Sequence, residues 1–519
     1  MGAVHFASHL PVDDERGNRP RGGNGTGDCH RPRATHGRLN GRTPRVFCRQ
    51  PSGAKGSDIA SREVEAFHDW EAHMATLRLL HVMTVPISLF FLRGQARFFR
   101  TLGLEEQAIS SPGPDLVRFS AEEGIAVHAV PMLRAITPLR DLVAVWRLYR
   151  VFRQLKPAIV HAGTPKGGLL AMVAAWLARV PVRVYHIYGL PAMTARGIRR
   201  LILQATERVS CALADHVFCA GPSIRDYVVA RGICRSVKTE ALLRGSINGI
   251  EARRLFNPEL HAASRAGTRS RLGIPQQAVV LGFVGRLVGD KGVAELWEAL
   301  RRVQAEAPEL HLLIVGESDT RDPLSPTLID ALRSHPRVHF AGFVRNTPPL
   351  YAAMDLVALP SHREGFPVVP MEAAAMALPV IATRIPGCVD AVQDGVTGIL
   401  VQPGDAAALA DAIRGYLRDP TLARRHGEAG RARMLRDFQP EKIWEALAAR
   451  YDSLLAKRHL PLLERRAAGT PPAAPSTVTG APDGGDDALL RIGAQAARAG
   501  QADTAAEEIG RDASTDSIR

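Results

Sequence analysis

The chain has 519 residues, 46% of them hydrophobic and 23% charged, which is ordinary for a globular protein and enough for two or three domains with large cores. A net charge of +14 admits nucleic acid, an anionic membrane surface or an anionic small molecule as partner, but 5% aromatic content with no RNA-binding signature argues against nucleic acid. No stretch reaches the ~18 apolar residues of a membrane span, no apolar run follows a basic start, and six cysteines without a CxxC pair give no zinc or redox motif.

Residues 1–75 are rich in Gly, Arg, Asn and Pro and read as a disordered tail or a mis-annotated start. From Leu77 the chain alternates short apolar runs with longer amphipathic ones. Strands are expected at Leu77–Met83, Ile125–Val130, Ile159–His161, Val182–Ile187 and His216–Ala220. Helices are expected at Arg93–Leu102, Leu139–Leu155, Gly167–Ala178 and Ile198–Leu213. A second series begins at Val279–Val284 and runs through strands at Leu310–Val315, Val338–Phe340, Asp355–Leu359, Val380–Ala382 and Gly398–Val401. Its helices fall at Val293–Ala305, Leu328–Arg333, Val368–Met376, Ala406–Leu417, Leu422–Leu435 and Lys442–Ala456. Such alternation predicts two α/β, doubly wound, Rossmann-like domains facing across a cleft. The expected limits are 76–250 for the first domain and 251–440 for the second. A helix over 441–465 crosses back to the first, and 466–519 forms a second disordered tail. Cys29, Cys48, Cys211, Cys219, Cys234 and Cys388 are read as buried or idle thiols.

Two segments carry the chemistry. Gly285-Arg-Leu-Val-Gly-Asp-Lys-Gly292 follows a strand and opens a helix, placing Arg286, Lys291 and backbone amides where an anion docks. It is neither a P-loop nor GxGxxG, and alone it also suits a glycine turn with two surface cations. The second, Ser361-His-Arg-Glu-Gly-Phe-Pro-Val-Val-Pro-Met-Glu372, holds Glu364 in a loop and Glu372 on the helix that follows. Pro367 and Pro370 belong in that helix's first turn, and Gly365 permits close approach of a ligand. Carboxylates accept from sugar hydroxyls, whereas a departing diphosphate needs fixed positive charge.

Arg286, Lys291 and the Glu364/Glu372 pair resemble the donor site of family 4 retaining glycosyltransferases of the GT-B fold, over roughly residues 76–456. Ser246-Ile-Asn-Gly-Ile250 and Pro386-Gly387 also fit. The resemblance implies that Arg286 and Lys291, next to Gly285, hold the diphosphate of a nucleotide sugar, and that Arg286, Lys291 and Glu364 are the catalytic residues. It implies that Glu364 meets the sugar hydroxyls and Glu372 the ribose. The backbone of Gly365, Phe366, Pro367, Val368 and Val369, through its amides after the glycine, would approach the sugar and phosphate, and Val344 and Arg345 would border the base. No metal or cofactor is implied; the nucleotide sugar is a substrate.

The first domain follows the family less closely. Only Gly94 stands where relatives carry a glycine pair, and in Tyr185-His-Ile-Tyr-Gly189 the family histidine position falls on Tyr188 rather than His186. Tyr188 and His186 are nonetheless taken as candidate acceptor contacts, His186 also suiting a role inside the sheet. Thr164 and Lys166 are further candidates that equally suit helix capping. Residues 76–250 hold 23 Lys+Arg against 10 Asp+Glu, nearly all of the chain's excess. Arg93, Arg97 and Arg100, and a second set at Arg196, Arg199 and Arg200, could meet anionic headgroups. The expectation is a cytoplasmic enzyme, peripheral on the inner membrane. It would pass a sugar from a UDP-sugar to a saccharide or polyprenyl-diphosphate-linked acceptor in polysaccharide biosynthesis. The alternatives are a non-transferring UDP-sugar epimerase and a non-catalytic partner in glycan assembly.

Overall fold

The computed structural model describes residues 77–319 and 322–464; the tails expected at 1–75 and 466–519, with Cys29 and Cys48, lie outside them. The first domain is a parallel sheet of β1 (Leu77–Val82), β2 (Leu104–Ser110), β3 (Val127–Ala129), β4 (Ile159–Gly163), β5 (Val182–Ile187), β6 (His216–Cys219) and β7 (Thr239–Ala241). The spatial order is β3-β2-β1-β4-β5-β6-β7. The second domain holds β8 (Val279–Val284), β9 (Leu310–Val315), β10 (Val338–Gly342), β11 (Leu356–Leu359), β12 (Val380–Thr383) and β13 (Gly398–Val401), in the order β10-β9-β8-β11-β12-β13. Helices cover both faces, so the central strands are largely apolar on both sides: Leu79, Leu80 and Val82, or Val280, Leu281 and Phe283, are fully buried. The helix Val293–Gln304 shows the complementary pattern, burying Val293, Leu296, Leu300 and Val303 along one stripe against β8 and β9.

Strand order reverses between β1 and β4 in one sheet and between β8 and β11 in the other. At such a switch point the loops leaving two adjacent strands diverge and open a crevice. The loops after β8 and β11 are therefore neighbours, although 73 residues separate the side chains that meet there. The last helix, Pro440–Ala456, returns to the first domain. Its Leu447, Tyr451 and Leu455 pack with Leu79, Phe99, Val184 and Phe218.

The sequence reading assigned no element to 104–123 or 222–241, where the structure has β2, the helix Pro114–Glu123, the helix Pro222–Ala230 and β7. Strand β2 reads Leu-Glu-Glu-Gln-Ala-Ile-Ser, and its polar start hides a strand that buries Glu106 and Gln107. Glu106 lies 3.4 Å from His81 of β1. Burial pushes the Glu106 carboxyl up to about 8, with Glu123 adding to the rise and Arg100 opposing it. Burial drives the His81 imidazole down to about 3. Near pH 7 this is a pair of largely neutral groups rather than an ion pair.

Candidate active site

Gly285 ends β8 at φ +154° and Arg286 turns outward to Asp319, 2.6 Å away. A short turn, Gly289–Lys291, then delivers the lysine. Gly292 follows in the left-handed region, and a Cβ there would lie 2.0 Å from the Pro360 carbonyl oxygen. Only glycine therefore lets the two loops close on each other. The loop after β11 meets the first at several points. The His362 amide donates to the Asp290 carbonyl at 2.8 Å, Arg363 pairs with Asp290 at 2.5 Å, and His362 reaches Glu295 at 2.9 Å. This lattice sets the ammonium of Lys291 2.5 Å from Oε1 of Glu364. With side chains 20% and 11% exposed, the pair is largely withdrawn from bulk water, where charges act on each other more strongly.

Pro367 caps the helix Val368–Ala375. Pro370 lies in its first turn without an N–H, so Val368 and Val369 supply amides there that have no acceptor within the helix. Glu372, one turn further on, does not join the Lys291–Glu364 pair. Its carboxylate accepts from the Tyr351 hydroxyl at 2.7 Å. The residue keeps some exposure while its carboxyl is enclosed, and that desolvation pushes it up to about 7 against the opposing pull of the Tyr351 hydrogen bond. The folded chain thus holds a proton that the unfolded chain loses above about 4.5. Stability contributed by Glu372 falls as pH rises through that window, by at most ~1.4 kcal/mol per pH unit. Glu372→Gln, which keeps an acceptor for Tyr351, should raise the melting temperature at pH 8 and leave it unchanged at pH 4; equal shifts at both would refute the assignment.

The other candidates sort by location. Gly365 faces the first domain, where a Cβ would fall 1.4 Å from the Tyr188 carbonyl oxygen, so two backbones touch across the cleft. The Phe366 ring lies over Gly221 and Gly245 and packs at a tilt against Phe438, centroids 5.7 Å apart. Val344 packs against the second domain's core, and Arg345 crosses to Asp115 of the first domain at 2.7 Å. Tyr188 stands edge-on to Phe91 and His186, its buried hydroxyl without a hydrogen-bond partner.

Four first-domain candidates find partners within the protein itself. His186 is buried and contacts His161 at 3.3 Å, which in turn meets the Tyr451 hydroxyl at 2.5 Å; it supports the last helix from inside the sheet. Lys166 is held by Asp141 at 2.6 Å and by Thr137 at 3.3 Å, so its charge is spent on the start of the helix Pro138–Leu155. Gly94 makes a close approach, but to Trp444: a Cβ would lie 2.7 Å from that ring. Thr164 does lie at the β1/β4 switch point, where its hydroxyl meets that of Thr84 at 2.8 Å rather than capping its own helix. Its φ of +64° is strained for a β-branched residue.

Sequence reasoning missed Tyr351, Asp319 and Thr84, each of which meets a candidate side chain, and Asp290, which ties the two loops together through Arg363. It also missed Ser223, which receives no motif signal. Its hydroxyl donates to Asp390 at 2.6 Å and accepts from the Gly387 amide at 2.7 Å, joining the two domains. Among the described residues no group of three or more His, Cys, Asp or Glu side chains could hold a metal ion.

The model of the glycosyl transferases group 1 family matches residues 278–419, and that of the glycosyl transferase 4-like domain matches 42–244. The capsular polysaccharide biosynthesis glycosyltransferase CapM of Staphylococcus aureus is 30% identical over 384 residues, covering 74% of this chain and 98% of CapM. A glycogen synthase of Mycobacterium tuberculosis is 39% identical over 182 residues, covering 34% of this chain and 42% of that enzyme. Among solved structures, HepE of Anabaena in complex with UDP-glucose aligns with a TM-score of 0.61 at 23% identity, covering 73% of this chain and all of HepE.

Proposed function

The chain belongs to glycosyltransferase family 4, the glycosyl transferases of group 1, and has the GT-B fold; on that premise we propose that it transfers a sugar, with retention, from a UDP-sugar to a saccharide or lipid-linked saccharide acceptor in polysaccharide assembly. The observation that carries this reading is the Lys291–Glu364 pair at the carboxyl ends of β8 and β11. Without a donor the two charges satisfy each other. A nucleotide sugar offers each a better partner: its diphosphate takes the ammonium, and its hydroxyls take the carboxylate. Arg286, 57% exposed, can turn from Asp319 to the same diphosphate.

As the glycosidic bond breaks, charge develops on the departing diphosphate, and Lys291, Arg286 and the amides of Val368 and Val369 stabilise it from fixed positions. The acceptor hydroxyl attacks from the face that the diphosphate leaves. Its proton passes to a phosphate oxygen, so configuration is retained without a second protein base. With that much positive charge supplied by side chains, the reaction needs no divalent cation. Turnover in EDTA should equal turnover in magnesium; a loss of tenfold or more would refute this part of the reading.

HepE's complex with UDP-glucose makes that donor the first to try. The test is a panel of nucleotide sugars scored by thermal shift, since a donor at 100 times its Kd stabilises by ~2.7 kcal/mol. UDP release is then followed with and without saccharide acceptors. Acceptor-dependent release supports the proposal. Conversion of the nucleotide sugar with no acceptor present would establish an epimerase instead.

A further inference from the structure

The helices Pro138–Leu155, Pro165–Leu177 and Gly197–Leu213 lie side by side on one face of the first sheet, the middle one packed against both others. The last of them is inside out. Its buried stripe is polar, with Gln204, Glu207 and Ser210, while Ile198, Leu201 and Ile202 face solvent, Ile198 at 72% exposure. Pro138–Leu155 buries Ala144, Leu148 and Phe152 normally, but carries a second apolar stripe outward through Leu139, Leu142 and Trp146, with Leu139 80% exposed. One stripe suffices to anchor a surface helix, so the second has no use in the described fold.

The charge on this face is of one sign. Arg140, Arg147, Arg150 and Arg199 are exposed among the apolar residues, and Arg150 stacks over Trp146 at 4.9 Å. The two outer helices carry only two acids, Asp141 and Glu207. Asp141 is neutralised by Lys166 at 2.6 Å, and Glu207 is buried under the Tyr185 hydroxyl at 2.7 Å. An apolar stripe with cations on it and no free acid matches a surface whose charged layer is anionic and lies over hydrocarbon.

From this we infer that the outer helices Pro138–Leu155 and Gly197–Leu213 form a docking face for an anionic phospholipid bilayer, with Leu139, Leu142, Trp146, Ile198 and Leu201 entering below the headgroups. The basic patch expected around Arg93, Arg97 and Arg100 is not that face. Arg93 pairs with Glu122 at 2.8 Å, Arg100 donates to the Gly124 carbonyl at 2.9 Å, and Phe98 packs on Trp444. The exposed apolar residues concentrate in the first halves of both outer helices, near the carboxyl ends of the strands. That is the end at which the cleft opens. Docking this face puts the cleft mouth beside the headgroups, where a lipid-linked acceptor is anchored. This consequence rests on the transferase reading; the docking face does not.

The test is flotation of the full chain with vesicles of phosphatidylglycerol and phosphatidylcholine in equal parts, against phosphatidylcholine alone, without donor or acceptor. Binding to the mixed vesicles at low salt is expected, falling as salt rises. Brominated lipid should quench the fluorescence, and Trp146→Phe should remove most of the quenching while flotation persists. Arg147→Gln/Arg150→Gln/Arg199→Gln should melt like the parent and partition roughly a hundredfold less, about fivefold per charge. Absence of flotation, an undiminished triple variant, or a dimer in light scattering that Leu142→Ser/Leu201→Ser abolishes would each overturn the inference, the last by assigning the face to a second copy. Transfer to a water-soluble acceptor, measured separately, keeps this failure distinct from failure of the transferase reading.

Discussion

Lys291→Ala is expected to lower kcat by roughly 10²- to 10³-fold, the effect of losing ~2.7–4 kcal/mol from one preorganised donor to a developing oxyanion. Lys291 sits on a turn that Gly292 and Pro360 fix in place, and its ammonium touches nothing more specific than Glu364. Removing it leaves the domain cores whole, so the circular dichroism spectrum should not change. It does leave Glu364 without its cation in a half-enclosed site, and a modest fall in melting temperature is expected. Two companions separate catalysis from that structural effect. Lys291→Arg keeps the charge but misplaces it and should recover part of the activity. Glu364→Gln removes the partner while leaving the ammonium, and should weaken donor recognition. A Lys291→Ala enzyme with near-normal turnover would remove the diphosphate role altogether.

Gly365→Ala should be nearly as damaging, for a steric reason. The added Cβ would lie 1.4 Å from the Tyr188 carbonyl oxygen and 2.5 Å from its carbonyl carbon. Neither backbone can yield locally, because Gly387 already approaches Gly365 from the other side, its own Cβ position being 2.1 Å from the Gly365 oxygen. The domains must part, or the loop must move and take Glu364 with it. A displacement of about 1 Å at a reacting centre costs on the order of 10²-fold in rate, and that is the expected loss. Scattering should report a larger radius of gyration, while melting stays close to the parent because each domain keeps its own core. Gly189→Ala is the control. Its Cβ would meet Gly365 at 3.5 Å, an ordinary contact, so its activity should stay near that of the parent. Equal activity in both variants would show that this contact across the cleft is not used in turnover.

Much of this protein was legible in one dimension. Alternating buried strands and amphipathic helices announce a doubly wound architecture, because a parallel sheet must be covered on both faces. The Gly-Arg…Lys-Gly and Glu-Gly-Phe-Pro segments mark the two loops that meet at the β8/β11 switch point. Failures came where burial contradicts polarity. Strand β2 went unread because Glu106 and Gln107 are polar yet buried, one beside His81 and the other bonded to His128 at 2.8 Å. For His186 and Lys166 the sequence left a ligand contact and a structural role both open, and Gly94 stood only where relatives carry a glycine pair; neighbours remote in sequence occupy them: His161, Asp141 and Trp444. Phe366 was singled out for its backbone amide; its ring, which the motif does not place, belongs to the packing between domains.

The amino-acid order by itself determined the two-domain architecture, the cationic loop and the acidic one, since periodicity and loop composition act over a few residues. Tertiary structure alone decided that Lys291 meets Glu364 while Glu372 turns to Tyr351, and that the polar side of Gly197–Leu213 faces inward. Those outcomes depend on which strands become neighbours and which helix faces are covered. Non-local packing sets both, and no window along the chain contains them.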